Sequence, residues 1–215
     1  MNYLSKPLIA LSASIIFLSM LLGCQRVEDS RIELTQSQWQ RIEAHLIDEA
    51  PAPEYSMDVR FDDDIELIGL DVDGDLVAGE LVELTWYWQA HDDIDRDWQI
   101  FVHFDSRDEP YRQNLDHFPL GEEMNNVYRT YHWRSGDIIE DVQRVRLADD
   151  YPAGDARFYV GLFRGDTRAD VTNDAEATTE ELGPRAIGPT VEIQAAAQPP
   201  TDAPEDTESG QSPAE

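Results

Sequence analysis

The sequence predicts an all-β protein: an immunoglobulin-like or jelly-roll-like antiparallel β-sandwich of eight or nine strands, preceded by one short N-terminal helix. Three observations carry this expectation. Apolar residues alternate with polar ones at a period of two in several short runs, as they do along half-buried strands. Asp73-Gly74, Ser135-Gly136, Pro152-Ala153-Gly154 and Gly165-Asp166 supply turn signals between the runs. Between those runs no helical pattern of useful length occurs, which disfavours the βαβ units of a parallel sheet.

Residues 1-23 read as a secretory signal peptide. Lys6 is their only charge, and the apolar stretch from Leu8 to Leu22 has 15 residues, short of the about 20 that a transmembrane helix needs. Leu21-Leu22-Gly23-Cys24 closes that stretch with a small residue and the only cysteine of the chain. These four residues resemble the lipobox of bacterial lipoproteins, Leu-x-[Gly/Ala]-Cys. The resemblance implies a diacylglyceryl group on the Cys24 sulfur, cleavage before it and acylation of the new amine, so that the protein hangs from a membrane by its lipids. It also accounts for a lone cysteine in an exported protein, which has no disulfide partner within the monomer. An uncleaved anchor, or a free thiol after cleavage elsewhere, is the alternative. Gln25 occupies the position where an Asp favours inner-membrane retention in enterobacterial lipoproteins, which points to the outer membrane of a bacterial envelope.

Residues 24-54 read as a lipidated tether. Thr35 with Gln38 forms a capping box, and Trp39, Ile42, Leu46 and Ile47 then share one face of a helix from about 36 to 49. That face suits packing on the main domain or binding a partner. Pro51 and Pro53 end the helix. The sandwich domain follows over 55-194. Its strongest strand sets Val82, Leu84, Trp86, Trp88 and Ala90 against Glu83, Thr85, Tyr87 and Gln89. Trp98, Ile100, Val102 and Phe104 repeat the pattern, as do Phe158, Val160 and Leu162, with a shorter run at Ile68, Leu70 and Val72 and a last strand through Val191 and Ile193. Further strands are expected near 57-61, 112-117, 128-133 and 138-147, and a long polar loop over 167-184. Residues 195-215 have no base and no aromatic and are expected to be a disordered acidic tail.

The whole chain carries 45 acidic against 16 basic residues, a net charge of -29. Such a chain does not neutralise phosphates along a nucleic acid, and an anionic membrane surface repels it. The acidity fits solubility in a salty habitat or a cationic partner. Asp71-Val72-Asp73-Gly74-Asp75 departs from the EF-hand pattern because the glycine comes too early, so a hairpin turn is the first reading and a loose calcium site the second. Asp92, Asp93, Asp95 and Asp97 read as a solvated acidic loop before a calcium site. His103, His117 and His132 show no close metal-ligand spacing, and no metal or cofactor is expected. No Gly-x-Ser-x-Gly, P-loop or His-Glu-x-x-His motif occurs, and no pair among the carboxylates is singled out for glycosidic cleavage.

The aromatics are the other feature. Trp86 and Trp88 face the core, whereas Tyr87 and Phe101 point the other way in their strands. Tyr87, Phe101, His103, Asp116, His117 and Trp133 are the candidate ligand-binding residues, with exposed rings to stack on sugar faces and polar groups to hold hydroxyls. The series Leu84-Thr85-Trp86-Tyr87-Trp88, Phe101-Val102-His103-Phe104, Asp116-His117-Phe118-Pro119, Trp133-Arg134-Ser135-Gly136-Asp137 with Ile139 and Asp141, Pro152-Ala153-Gly154 and Tyr159-Val160-Gly161-Leu162-Phe163 is similar to a β-sandwich module found beyond the membrane part of some bacterial glycosyltransferase-like proteins, over about residues 60-193. No multi-spanning region or transferase motif accompanies it here, so the resemblance implies an accessory role. The expectation is a non-catalytic envelope lipoprotein that binds envelope glycan or a partner protein. The alternatives are a hydrolase acting on envelope polysaccharide and a purely structural lipoprotein.

Overall fold

The computed structural model describes residues 34-196 except 122-123, 125-126, 174-176 and 178-182. The lipobox with Cys24 and the expected tail from 197 onward lie outside the described residues. Strands β1 (Tyr55–Phe61), β2 (Ile65–Asp73), β3 (Leu81–Ala90) and β6 (Ile138–Arg146) form one antiparallel sheet in the order β1-β2-β3-β6. Strands β4 (Gln99–Ser106), β5 (Arg112–Asn114), β7 (Gly154–Arg164), β8 (Thr167–Arg168) and β9 (Ala186–Ile193) form the other. In it β7 pairs with β4 along one edge and with β9 and then β8 along the other. The protein is an all-β sandwich with one short helix, α1 (Gln36–Glu43).

Alternation places the core. Val82, Leu84, Trp86, Trp88 and Ala90 of β3 are all buried, and they meet Ile100, Val102 and Phe104 of β4 and Ala156, Phe158, Val160 and Leu162 of β7. Trp86 meets Phe158 edge-on at 5.7 Å, and Phe158 stacks on Phe104 at 4.2 Å. Each fully buried side chain of this size contributes about 1.5–3 kcal/mol, so the core can hold the sheets together without a disulfide.

Three expected elements differ. The helix ends at Glu43, because from His45 to Ile47 the chain pairs instead with the open edge of β6: Glu140 N–H donates to His45 O at 2.8 Å and Ile47 N–H to Ile138 O at 3.0 Å. The capping box at Thr35 and Gln38 is present, and Ile42 is fully buried in the core. In β2 the expected alternation at Ile68, Leu70 and Val72 is broken by a bulge between Leu67 and Gly69, so Ile65, Leu67 and Leu70 face inward and Ile68 does not. The segment 128-133 is a loop with a 3₁₀ turn at Thr130–His132. There Thr130 Oγ1 donates to Arg96 O and accepts from Trp98 N–H. These two bonds fold the segment inward, so Tyr128, Thr130 and His132 are buried at a strand-like spacing without a strand.

Candidate functional site

After β5 the chain runs back along β4. Ile100 and His117 exchange both backbone hydrogen bonds, and Leu115 N–H donates to Val102 O at 2.8 Å. Between them the Asp116 side chain takes the place of a backbone acceptor: its Oδ1 accepts from Val102 N–H at 2.9 Å. Its Oδ2 accepts from Asn114 Nδ2 at 3.1 Å.

The next residues reverse direction through Phe118-Pro119-Leu120-Gly121. Leu120 has φ +63°, a left-handed conformation that costs a bulky residue about 1–3 kcal/mol and persists only when its surroundings impose it. Asp141 of β6, fully buried, imposes it. Its Oδ1 accepts from Leu120 N–H at 2.6 Å, and its Oδ2 lies 2.9 Å from His117 Nε2. His117 Nδ1 lies 3.0 Å from Leu115 O. Both ring nitrogens therefore face oxygen acceptors, and the imidazolium, with a proton on each, satisfies both. Burial alone would lower the His117 pKa, but the Asp141 charge and hydrogen bond together with the Leu115 carbonyl outweigh it and hold the pKa above the usual range. A histidine donating from both nitrogens has no lone pair for general-base work. The pair positions the loop.

Three adjoining hollows surround this loop. The largest, about 490 Å³, lies between α1 and β6 and is bordered by Arg41, His45, Leu120, Met124 and Gln143. The middle one, about 270 Å³, lies over Gln99, Phe118 and Phe163. The third, about 290 Å³, opens onto the outer face of the five-stranded sheet at Phe101, His103 and Arg168. All three share Asp116, and the first two also share His117 and Gly121. Together they make one groove across the edge of the sandwich.

At the sheet end the groove meets a platform of rings and guanidinium groups. Phe101 lies against its cross-strand partner Gly161, where a Cβ would run into the ring. The Arg168 guanidinium covers Phe101 at 4.5 Å, and that of Arg185 covers Tyr159 at 4.0 Å. His103 sits between these rings, 5.1 Å from Phe101 and paired across the strands with Tyr159. Burial, then the positive charge of Arg112, pushes the His103 pKa below its ordinary value, so His103 is neutral near pH 7. Arg112 is itself held by Asp105 through two 2.6 Å bonds.

Of the six candidate residues, Phe101, His103, Asp116 and His117 border the groove. The other two lie elsewhere. Trp133 is fully buried against Trp88, because the 3₁₀ turn before it turns its ring into the core. Tyr87 does point away from the core, yet it is only 8% exposed and donates to Asp71 Oδ2 at 2.9 Å on the opposite sheet. Phe101, at 3% exposure, is a support for Arg168 and presents no open ring. Sequence reasoning gave no site role to Asp141, Gln143, Tyr159, Arg168 and Arg185, although Asp141 and Tyr159 stand in the series that carries the resemblance. Asp141 left a signal, an acid at a core-facing position of β6 two residues after Ile139. Arg168 left none within the stretch 167-184 read as a loop, whose first two residues form β8, and Arg185 left none just beyond it. Among the described residues, no group of three or more His, Cys, Asp or Glu is arranged to hold a metal ion.

Fold and groove define the class: an all-β sandwich with an open polar groove at one sheet edge. No family model matches the chain, and no curated protein matches it. Among solved structures it is similar to the "Crystal structure of the C-terminal domain of wzt", with a TM-score of 0.41 and 13% identity over 68% of this chain and 81% of that one. A likeness at that level assigns neither family nor function.

Proposed function

We propose that the protein is a lipid-anchored accessory lipoprotein of the bacterial envelope, held at the outer membrane through Cys24, and that it binds envelope glycan along the groove without cleaving it. The observation that supports this reading is the continuity of the three hollows over Asp116. A succession of shallow polar hollows with intervening rings, Phe118 and Phe163, suits a chain of sugar units better than one compact small molecule. The side-chain amide of Gln99 and the Asp116 carboxylate offer donors and acceptors to hydroxyls, while the Gln143 amide is held by Trp86 Nε1–H and Leu115 O. A non-catalytic role fits the state of the two acids nearest the groove's centre: Asp116 is engaged by Val102 and Asn114, and Asp141 by Leu120 and His117. A glycan fits better than a protein partner because the large hydrophobic side chain exposed among the described residues, Leu81, stands alone.

Calorimetric titration of the full chain with envelope polysaccharide fragments of increasing length tests this. Affinity is expected to rise with each added sugar until the groove is filled and then level off. Absence of binding, or affinity independent of length, overturns the glycan reading. Intact-mass analysis of the membrane-extracted protein tests the anchor: an acylated chain beginning at Cys24 is expected, and an unmodified Cys24 overturns it.

A further inference from the structure

We propose that the centre of the groove is proton-gated: doubly protonated His117 locks the turn Phe118-Pro119-Leu120-Gly121 onto Asp141 and keeps the adjoining hollows continuous, and loss of one proton on the alkaline side frees the turn and releases the glycan. The inference rests on the glycan reading above and adds the regulation of that binding.

One ring here serves two acceptors. His117 Nε2 lies 2.9 Å from Asp141 Oδ2, and Nδ1 lies 3.0 Å from Leu115 O. A neutral imidazole has a single N–H and must turn a bare nitrogen toward one of these oxygens. With the proton on Nε2, the bare Nδ1 meets the Leu115 carbonyl. With the proton on Nδ1, the bare Nε2 meets the Asp141 carboxylate. Water offers little relief, because the His117 side chain is 8% exposed and that of Asp141 not at all. Two lone pairs facing each other in such a place are costly.

The strain falls on the turn. The His117 backbone is fixed, since it exchanges both hydrogen bonds with Ile100 of β4. Leu120 is the weaker point: its left-handed backbone persists only while something imposes it, and its N–H donates to Asp141 Oδ1. Asp141 thus ties histidine and turn together, one oxygen to each, so a carboxylate displaced by the ring also loosens Leu120. His117 and Gly121 both stand in the walls of the largest and the middle hollow, so movement of the turn alters both at once. The charges around the ring set the direction. Asp141 from β6, the Leu115 carbonyl and the adjacent Asp116 favour the proton and outweigh burial. Arg41 of α1, His45 just after it and Arg144 of β6 stand across the largest hollow, and Arg129 covers the neighbouring Phe118 ring at 3.7 Å. On this side β4 presents only Gln99 and Ile100, neither of which titrates. His117 therefore keeps its second proton beyond the usual histidine range and gives it up as pH rises further.

NMR titration of the isotope-labelled, ligand-free full chain tests the gate itself. The Leu120 and Gly121 amide resonances are expected to move in the same pH step as the His117 ring protons. Amides that stay unmoved through that step overturn the gate, whatever the protein binds. Calorimetry on either side of the step, with the longest neutral fragment of the envelope polysaccharide, tests the release. Affinity is expected to fall by about tenfold per pH unit above the step, the limit for one linked proton. His117→Gln should make the affinity flat across the same range, whereas His45→Gln and His103→Gln, at the other histidines bordering the groove, should keep the fall. Should His117→Gln fail to fold, the ligand-free titration of the parent still decides. Equal affinity on both sides of the step overturns the release and leaves the glycan reading standing. A fall that survives in folded His117→Gln overturns the assignment to this histidine. Absence of binding on both sides overturns the glycan reading and the release with it.

Discussion

The two outer faces of the sandwich begin from the same alternating strands and end with different chemistry. On the four-stranded sheet, polar groups are answered by neighbours. Tyr87 donates to Asp71, His91 Nε2 lies 2.5 Å from Glu66, and Arg144 reaches Glu83 at 2.9 Å. Pro53 covers Gly69 so closely that a Cβ there would collide with it. On the five-stranded sheet, guanidinium groups cover two rings, the His103 Nδ1 has no hydrogen-bond partner among the described residues, and a groove opens at the edge. A face whose polar groups satisfy one another is finished by folding alone. A face with an open groove and a buried nitrogen unmatched among the described residues is better satisfied by something that binds it.

The largest effects should come from the buried supports common to both faces. Trp88→Ala removes a core ring packed on Phe61 and Trp133 and should cost about 3–5 kcal/mol in chemical denaturation. Tyr87→Phe removes only one hydrogen bond of the closed face and should cost about 1 kcal/mol, with glycan affinity unchanged. If Tyr87→Phe weakened glycan binding, the distinction between the two faces would fail.

Asp141→Asn should rival the tryptophan, at about 3–5 kcal/mol, because breaking a buried pair leaves the partner charge uncompensated. The two groove histidines then separate by pH. His117 has a raised folded pKa, so its contribution is fully present below the ordinary histidine value of 6.5 and is lost as pH rises through the folded value. His103 has a lowered folded pKa, so its contribution is present above 6.5 and is lost as pH falls through the folded value. Stability curves against pH should therefore lose their alkaline limb's dependence in His117→Gln and part of their acid limb's in His103→Gln. NMR titration of the two ring proton resonances checks the direction of each shift.

A smaller effect is expected at the platform itself. Gly161→Ala pushes a methyl into the Phe101 ring, and overpacking of this kind costs about 1–3 kcal/mol. Since Phe101 carries Arg168, that substitution should also weaken binding at the sheet end of the groove. A stability loss with full affinity would detach the ring from the site.

Much of this was readable in the sequence where one residue reports on its own strand. The run from Val82 to Ala90 states its buried face outright, and Thr35 with Gln38 states where the helix starts. Legibility failed where a side chain answers something distant. The bulge at Leu67 and Gly69 shifts the phase of β2, and its one local marker, a glycine inside an apolar run, does not say which residues then face inward. The spacing of Tyr128, Thr130 and His132 imitates a strand because side-chain bonds to Arg96 and Trp98 fold a turn inward. His117 and Asp116 were visible as polar residues beside a strand, but their division of labour depends on Asp141, 24 residues further on. The cationic platform depends on β5, β8 and β9 arriving together, which no local pattern encodes.

The most direct test of the central claim is a heteronuclear NMR titration of the isotope-labelled full chain with an oligosaccharide that binds it. Amide shifts are predicted to concentrate at Phe101, His103, Asp116, His117 and Gly121 along the groove, while Tyr87, Glu66 and Asp71 on the opposite face stay unmoved. Shifts concentrated instead on the four-stranded sheet would contradict it.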